Sequence, residues 1–137
     1  MPRLNNDACF SMTALVGQRI AELLAATECA DLESVQMLFL RLDGDESWHR
    51  LFLDASIGFW EMCSRDEAFC DFEGVPFANL ADRWKITGTR IESAECVGSW
   101  DDEIASRFEI RTEVGTLVAT SKDEIYMTVS FLSLIHI

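Results

Sequence analysis

Apolar and polar residues alternate along much of this chain with the two-residue period of β-strands. The runs "VQMLFLRL" and "WHRLFLDAS" flank Asp43-Gly44, a dipeptide favoured in hairpin turns. We therefore predict a hairpin over residues 35–54, with a short further strand in "IGFWEM". Because "MLFLRL" is apolar at nearly every position, this hairpin should be covered on both faces, either at the centre of the sheet or beneath a helix.

The second half of the chain carries a similar pattern with stricter alternation. In "RFEIRTEVG", the apolar Phe108 and Ile110 alternate with the charged Glu109 and Arg111, up to a turn at Gly115. Two more strands follow in "TLVATSKDEIYMTVSF". Strict alternation is typical of a sheet with one solvated face, so this half should have a bare outer surface.

The segments "VGQRI" and "TGTRI" share a glycine, an arginine and an isoleucine at an offset of 71 residues. The same offset places Met37 over Phe108 and Phe39 over Ile110. It predicts pseudo-repeats over residues 15–62 and 86–131, a type of organisation that decides architecture when it is present. An offset chosen freely also finds some identities by chance, so duplication and coincidence are both open.

The repeat bears on two segments whose local patterns disagree. "ALVGQRIAELLAA" has apolar residues at helical spacing, whereas "KITGTRIESAECV" is rich in the β-branched residues typical of strands. If the two copies correspond, both are strands, and we predict strands over residues 15–25 and 86–97. One short packed helix is predicted near residues 76–84, where Phe77, Leu80 and Trp84 follow a proline at helical spacing.

These elements predict a single domain over residues 1–137 of the α+β class, mainly β. It should contain antiparallel sheet of about six to eight strands, built from two hairpin units that are candidates for a duplication, with one packed helix. The chain is 49% hydrophobic, so it should fold in spite of a net charge of −13.

Charge and cysteine usage restrict the function classes. The 24 acidic residues against 11 basic ones disfavour nucleic acid and anionic membrane surfaces as partners. No apolar run approaches the length of about 20 residues that a membrane-spanning helix needs, and the start resembles no signal peptide, so a cytoplasmic protein is expected. The five cysteines include no C-x-x-C pair, and neither a disulfide framework nor a zinc site is predicted.

Candidate catalytic chemistry is sparse. Outside the last residues His49 is the single histidine, and no nucleotide-binding or hydrolase motif occurs. The acidic clusters, such as Asp43 with Asp45, are interpreted as solvated turns, because their spacing does not match a calcium loop. No catalytic residue, metal site or cofactor is therefore predicted.

The stretch "WEMCSRDEAFCDFEGVPF" combines aromatic and acidic residues, as a docking surface for a basic protein does. The predicted partner-binding residues are Trp60, Glu61, Asp66, Glu67, Phe69, Asp71, Phe72 and Glu73. In the alternative interpretation these aromatic side chains fold inward and cap the sheet, while the acidic groups face water.

The sequence thus favours a small acidic interaction protein that binds a basic protein partner. It resembles an immunity protein in its properties alone, since no family motif is present. A carboxylate-based or metal-assisted small enzyme and a subunit that binds a small ligand are the alternatives.

The final "LSLIHI" resembles the translation of a transposon-derived adaptor used in preparing sequencing libraries. We expect residues 132–137 to be such an added sequence, so that His136 carries no functional information.

Overall fold

The computed structural model describes residues 3–28, 31–54, 57–99, 106–123 and 126–134, with side chains from residue 6 onward. Eleven β-strands in these ranges form one antiparallel sheet. They are β1 Arg3–Asp7, β2 Phe10–Ser11, β3 Ile20–Thr27, β4 Val35–Leu42, β5 Trp48–Asp54, β6 Ile57–Cys63, β7 Phe77–Asn79, β8 Ile91–Val97, β9 Arg107–Thr112, β10 Gly115–Ser121 and β11 Met127–Ser133. The helices are α1 Arg65–Phe69 and α2 Leu80–Arg83, with 3₁₀ turns at Thr13–Leu15 and Cys70–Phe72.

Eight of the eleven strands form two four-stranded meanders. β3 to β6 form the first meander and β8 to β11 the second, each strand pairing with the next along the chain. The N-terminal strands connect them, because β1 pairs with β6 and β2 pairs with β8. On the other side, β11 meets β4 where Met127 pairs with Val35. The sheet therefore returns on itself and is nearly a barrel.

The two Gly-x-Arg-Ile segments pair with each other between the meanders. The N–H of Gly17 donates to the carbonyl of Ile91 at 2.8 Å, and the N–H of Gly88 donates to the carbonyl of Ile20 at 2.7 Å. The two bonds correspond under the 71-residue offset, because it relates the two donors, Gly17 and Gly88, and also the two acceptors, Ile20 and Ile91. Both glycines have φ near +85° (85° and 83°), which residues with a side chain rarely adopt.

The strand registers extend this correspondence and correct its details. Ile110 occupies the position of Leu40, and Glu109 occupies the position of Phe39. The alignment of Phe39 with Ile110 is therefore wrong by one residue, because the first meander has one residue more between its first two paired strands. Such a slip exchanges the two faces of a strand. A common origin of the two halves stays a prediction.

The main core lies between the two meanders. It contains Leu38 and Leu40 of β4 and Phe108 and Ile110 of β9, each at most 2% exposed. A second cluster lies on the outer face of the first meander, around Phe39, and consists of Ala26, Met37, Phe39, Trp48, Cys63 and Ala68. The predicted covering of "MLFLRL" on both faces is thus confirmed.

The hairpin predicted over residues 35–54 is confirmed as β4 and β5, but the predicted number of strands is wrong. The sheet has eleven strands in the described part instead of six to eight. Three of the additional ones are β1, β2 and β7. β2 and β7 have two and three residues, too short for an alternating pattern, and β1, "RLNND", contains one apolar residue. β3 and β8 begin only at Ile20 and Ile91, after the glycine turns, so the strands predicted over 15–25 and 86–97 started too early.

The helix predicted near residues 76–84 is shorter than expected. Its first residues form strand β7, which pairs with β3, and only Leu80–Arg83 are helical. A second helix, α1, lies in the acidic and aromatic stretch, where no helix is predicted. Ser64 and Glu67 form a capping box there, the Ser-x-x-Glu pattern typical of a helix N-terminus. His136 lies outside the described residues.

Candidate functional site

A groove of about 1290 Å³ opens on the outer face of the first meander. One wall is the segment 64–77, which connects β6 to β7, and the opposite wall belongs to β3, β4 and the β4–β5 turn. The lining combines aromatic and charged side chains, namely Trp48, Phe69, Phe72 and Phe77 with Glu22, Arg41, Glu46, Arg65, Asp66 and Glu73.

A buried ion pair joins β5 and β6 next to the segment 64–77. Arg50 Nη2 lies 2.8 Å from Glu61 Oε1, and the two side chains are 10% and 8% exposed. Arg50 Nη1 also donates to the carbonyl of Ala68 in α1, at 3.5 Å. Through this long hydrogen bond the ion pair of the two strands is also joined to α1.

The floor of the groove is an aromatic cluster centred on Phe39. The ring of Phe69 stacks on Phe39 with centroids 4.5 Å apart, and Phe72 and Phe77 meet it nearly edge-on at 5.2 and 5.7 Å. Trp48 packs against Phe69 at 5.0 Å. Aromatic pairs at these distances add stability beyond their buried area, so the floor is a rigid apolar surface.

The rim of the groove is predominantly acidic. Glu22 pairs with Arg41 at 2.7 Å, which compensates that carboxylate. Glu46, Asp66 and Glu73 form no ion pair or side-chain hydrogen bond within the described ranges, although all three line the groove. Counted with Glu22, Arg41 and Arg65, the lining holds four carboxylates and two guanidinium groups. This excess of acidic groups beside an apolar floor gives the groove a negative potential.

The structure brings together half of the eight predicted partner-binding residues. Asp66, Phe69, Phe72 and Glu73 line the groove, and Glu67 and Asp71 are exposed on the same segment. Trp60 and Glu61 are each 6% exposed and lie beneath the surface. In chain order, the eight predicted residues are Trp60, Glu61, Asp66, Glu67, Phe69, Asp71, Phe72 and Glu73.

The packing of this segment also has both features of the alternative interpretation. The rings of Phe69 and Phe72 pack inward on Phe39, while the acidic groups face solvent. Glu67 has a local structural role, because hydrogen bonds from the backbone and side chain of Ser64 hold the pKa of its carboxyl below the usual value. The same inward packing creates the groove floor.

Sequence reasoning missed the opposite wall of the groove. Glu22, Arg41, Glu46 and Trp48 come from β3, β4, β5 and the turn between β4 and β5. The one available signal was the run of apolar residues in β4, which indicated that something covers its outer face. A local sequence pattern does not indicate which distant segment covers this face.

His49 is a structural residue of the core side of β5. It is 3% exposed, and its Nδ1 accepts a hydrogen bond from Trp60 Nε1 at 2.9 Å. Burial lowers the pKa of His49, against a smaller opposing effect of Asp45. The imidazole is therefore neutral at physiological pH and is already engaged.

The described residues hold no group of three or more His, Cys, Asp or Glu side chains placed to bind a metal ion. Within the same ranges no helix is long and apolar enough to cross a membrane. No known family model, curated protein or solved structure matches this chain.

Proposed function

We propose that this chain is a small cytoplasmic interaction protein that binds a basic protein partner through the groove. The observation that carries the proposal is the set of uncompensated carboxylates, Glu46, Asp66 and Glu73, around an aromatic floor. In these properties, and in no others, it is similar to an immunity protein.

The two parts of the groove would act at different stages of binding. The carboxylates, together with the net charge of −13, accelerate the encounter with a cationic partner by electrostatic steering. The partly exposed rings of Phe72 and Phe77 supply apolar area that loses water on contact. Specific binding then requires both a basic and an apolar group on the partner.

The alternatives predicted from the sequence receive less support. Sites for small ligands are typically cavities of about 300–1,000 Å³ that enclose most of the ligand, and this groove is larger and open along its rim. A metal-assisted enzyme would need convergent ligands, and the described residues contain no group of three or more His, Cys, Asp or Glu side chains placed to hold a metal ion.

The test uses fluorescein-labelled peptides in which basic and apolar residues alternate, with the anisotropy measured during titration. Affinity for the wild-type chain should fall at least about tenfold between about 10 and about 150 mM salt, because the attraction is between charges near the surface. Affinity that does not depend on salt would contradict the electrostatic account.

A matched pair of variants separates the groove from the overall acidity. Asp66→Asn with Glu73→Gln changes two groove carboxylates, and Asp54→Asn with Glu95→Gln makes the same change in exposed residues outside the groove. The groove variant should lose about tenfold in affinity and the control less than about twofold, since screening limits the range of surface charges. Equal losses would show that binding follows net charge and not the groove.

A further inference from the structure

The groove contains aromatic rings with no parallel stacking partner. Phe72 and Phe77 meet Phe39 at interplanar angles of 87° and 72°, and Phe77 meets Phe69 at 81°. Within the described ranges no other ring stacks in parallel on either of them. Phe77 is 38% exposed, so part of its ring is accessible from the groove.

One wall of the groove already contains a planar cation, the guanidinium of Arg41. The Nε of Arg41 donates to Glu22 Oε2 at 2.7 Å, and its Nη1 donates to the carbonyl of Asp45 at 3.1 Å. A guanidinium in this wall is thus bound by one carboxylate and one backbone carbonyl. Three further rim carboxylates have no such partner in the described part of the chain.

We propose that the groove selects arginine over lysine. Its occupant is an exposed segment of the partner with an arginine whose guanidinium stacks on the ring of Phe77 and pairs with Asp66 or Glu73. This inference rests on the proposed function, because it specifies the chemistry of the basic partner for the same site.

The two cations differ in what they can use there. A guanidinium is planar and weakly hydrated, so it stacks on an aromatic ring while its edge donates two parallel hydrogen bonds to a carboxylate. An ammonium is a strongly hydrated point charge, and it loses more hydration when it leaves water for an aromatic floor. A groove lined by both rings and carboxylates therefore discriminates between them.

The experiment compares three peptides that differ at one central position, which is arginine, lysine or the neutral isostere citrulline. The wild-type chain should bind the arginine peptide at least about fivefold more tightly than the lysine peptide, and the citrulline peptide most weakly. Equal affinity for the arginine and lysine peptides would overturn the inference and leave the proposed function standing. If none of the three binds, or if citrulline binds as well as arginine, the proposed function fails as well.

The variant Phe77→Leu tests the role of the ring, since it keeps an apolar side chain of similar size. The ratio of arginine to lysine affinity should fall towards one, with the lysine affinity nearly unchanged. Phe59→Leu is the control, because Phe59 is a half-buried ring stacked on Phe52 at 4.7 Å and does not line the groove. An unchanged ratio in a folded Phe77→Leu variant would overturn the stacking mode, and the peptide series on the wild-type chain decides the preference independently of any variant.

Discussion

Phe39 and Glu109 occupy the same position in the two meanders but have opposite surroundings. Phe39 is completely buried beneath Phe69 and Phe72, whereas Glu109 is partly exposed and lies 3.5 Å from Arg107. Burial of an apolar side chain on an outer face is favourable, whereas burial of a charged side chain costs free energy unless it is paired. The first meander therefore needed a covering segment and the second did not.

The groove is a consequence of that difference. The segment 64–77 packs its rings on Phe39, and the space between this segment and β3–β4 is the groove. The strand topology of the two meanders is the same, so the binding surface arises from side chains on one face and not from the fold itself.

The substitution Phe39→Ala should have the largest effect on stability. It removes a fully buried ring that contacts three others, and it should lower the free energy of unfolding by about 3–5 kcal/mol. Urea denaturation measures the loss, and hydrogen exchange of the α1 amides should rise because their support is gone. A loss below about 1 kcal/mol would show that the segment 64–77 does not depend on Phe39.

The second meander should behave differently on its two faces. Ile110→Ala should cost about 2–5 kcal/mol, because Ile110 lies in the main core. Glu109→Ala should change stability by no more than about 0.5 kcal/mol, since its ion pair with Arg107 is partly solvated. Similar costs at both positions, measured by the same urea titration, would contradict the assignment of the faces.

A smaller effect concerns His49, which corresponds in register to Leu117 of the second meander. Burial holds the pKa of His49 below its ordinary value of 6.5, so the unfolded chain binds a proton first as the pH falls. Stability contributed by the neutral imidazole is complete above pH 6.5 and is lost as the pH falls through the folded-state pKa.

The substitution His49→Leu makes the first meander like the second at this position. Thermal unfolding between pH 7 and pH 5 should then vary less with pH than in the wild-type chain, because the titrating group is absent. The carboxyl groups with lowered pKa, Glu67 and Glu113, are the same in both proteins, so their contribution cancels in the comparison. An equal pH dependence in both proteins would assign the titration to another group.

The sequence predicts local structure well where a strand is long enough to alternate. Glu109 and Arg111 beside Phe108 and Ile110 indicated the faces of β9 correctly, and Asp43-Gly44 marked the first hairpin turn. Each of these signals involves residues close together in the chain, where backbone period and turn chemistry decide the outcome.

Long-range pairing was beyond such signals. The two Gly-x-Arg-Ile segments were recognised as similar, but nothing in either of them indicated that they pair with each other. The aromatic side of the site was predicted from Phe69 and Phe72, whereas Glu46 in the opposite wall depends on which face of β4 the segment covers. Packing between distant segments decides these features, and local propensity does not contain it.

The pairing of β1 and β2 has a consequence for synthesis of the chain. Asp7 pairs with Gly58 and Phe10 pairs with Cys96, so both strands leave the ribosome well before their partners. At about 5–20 residues per second, the partner of β1 is synthesised several seconds after β1, and the partner of β2 on the order of ten seconds after β2. An unpaired apolar strand would invite aggregation during that interval. The sequence "RLNND" of β1 is mostly polar, so this strand can stay solvated without a partner until β6 has been synthesised.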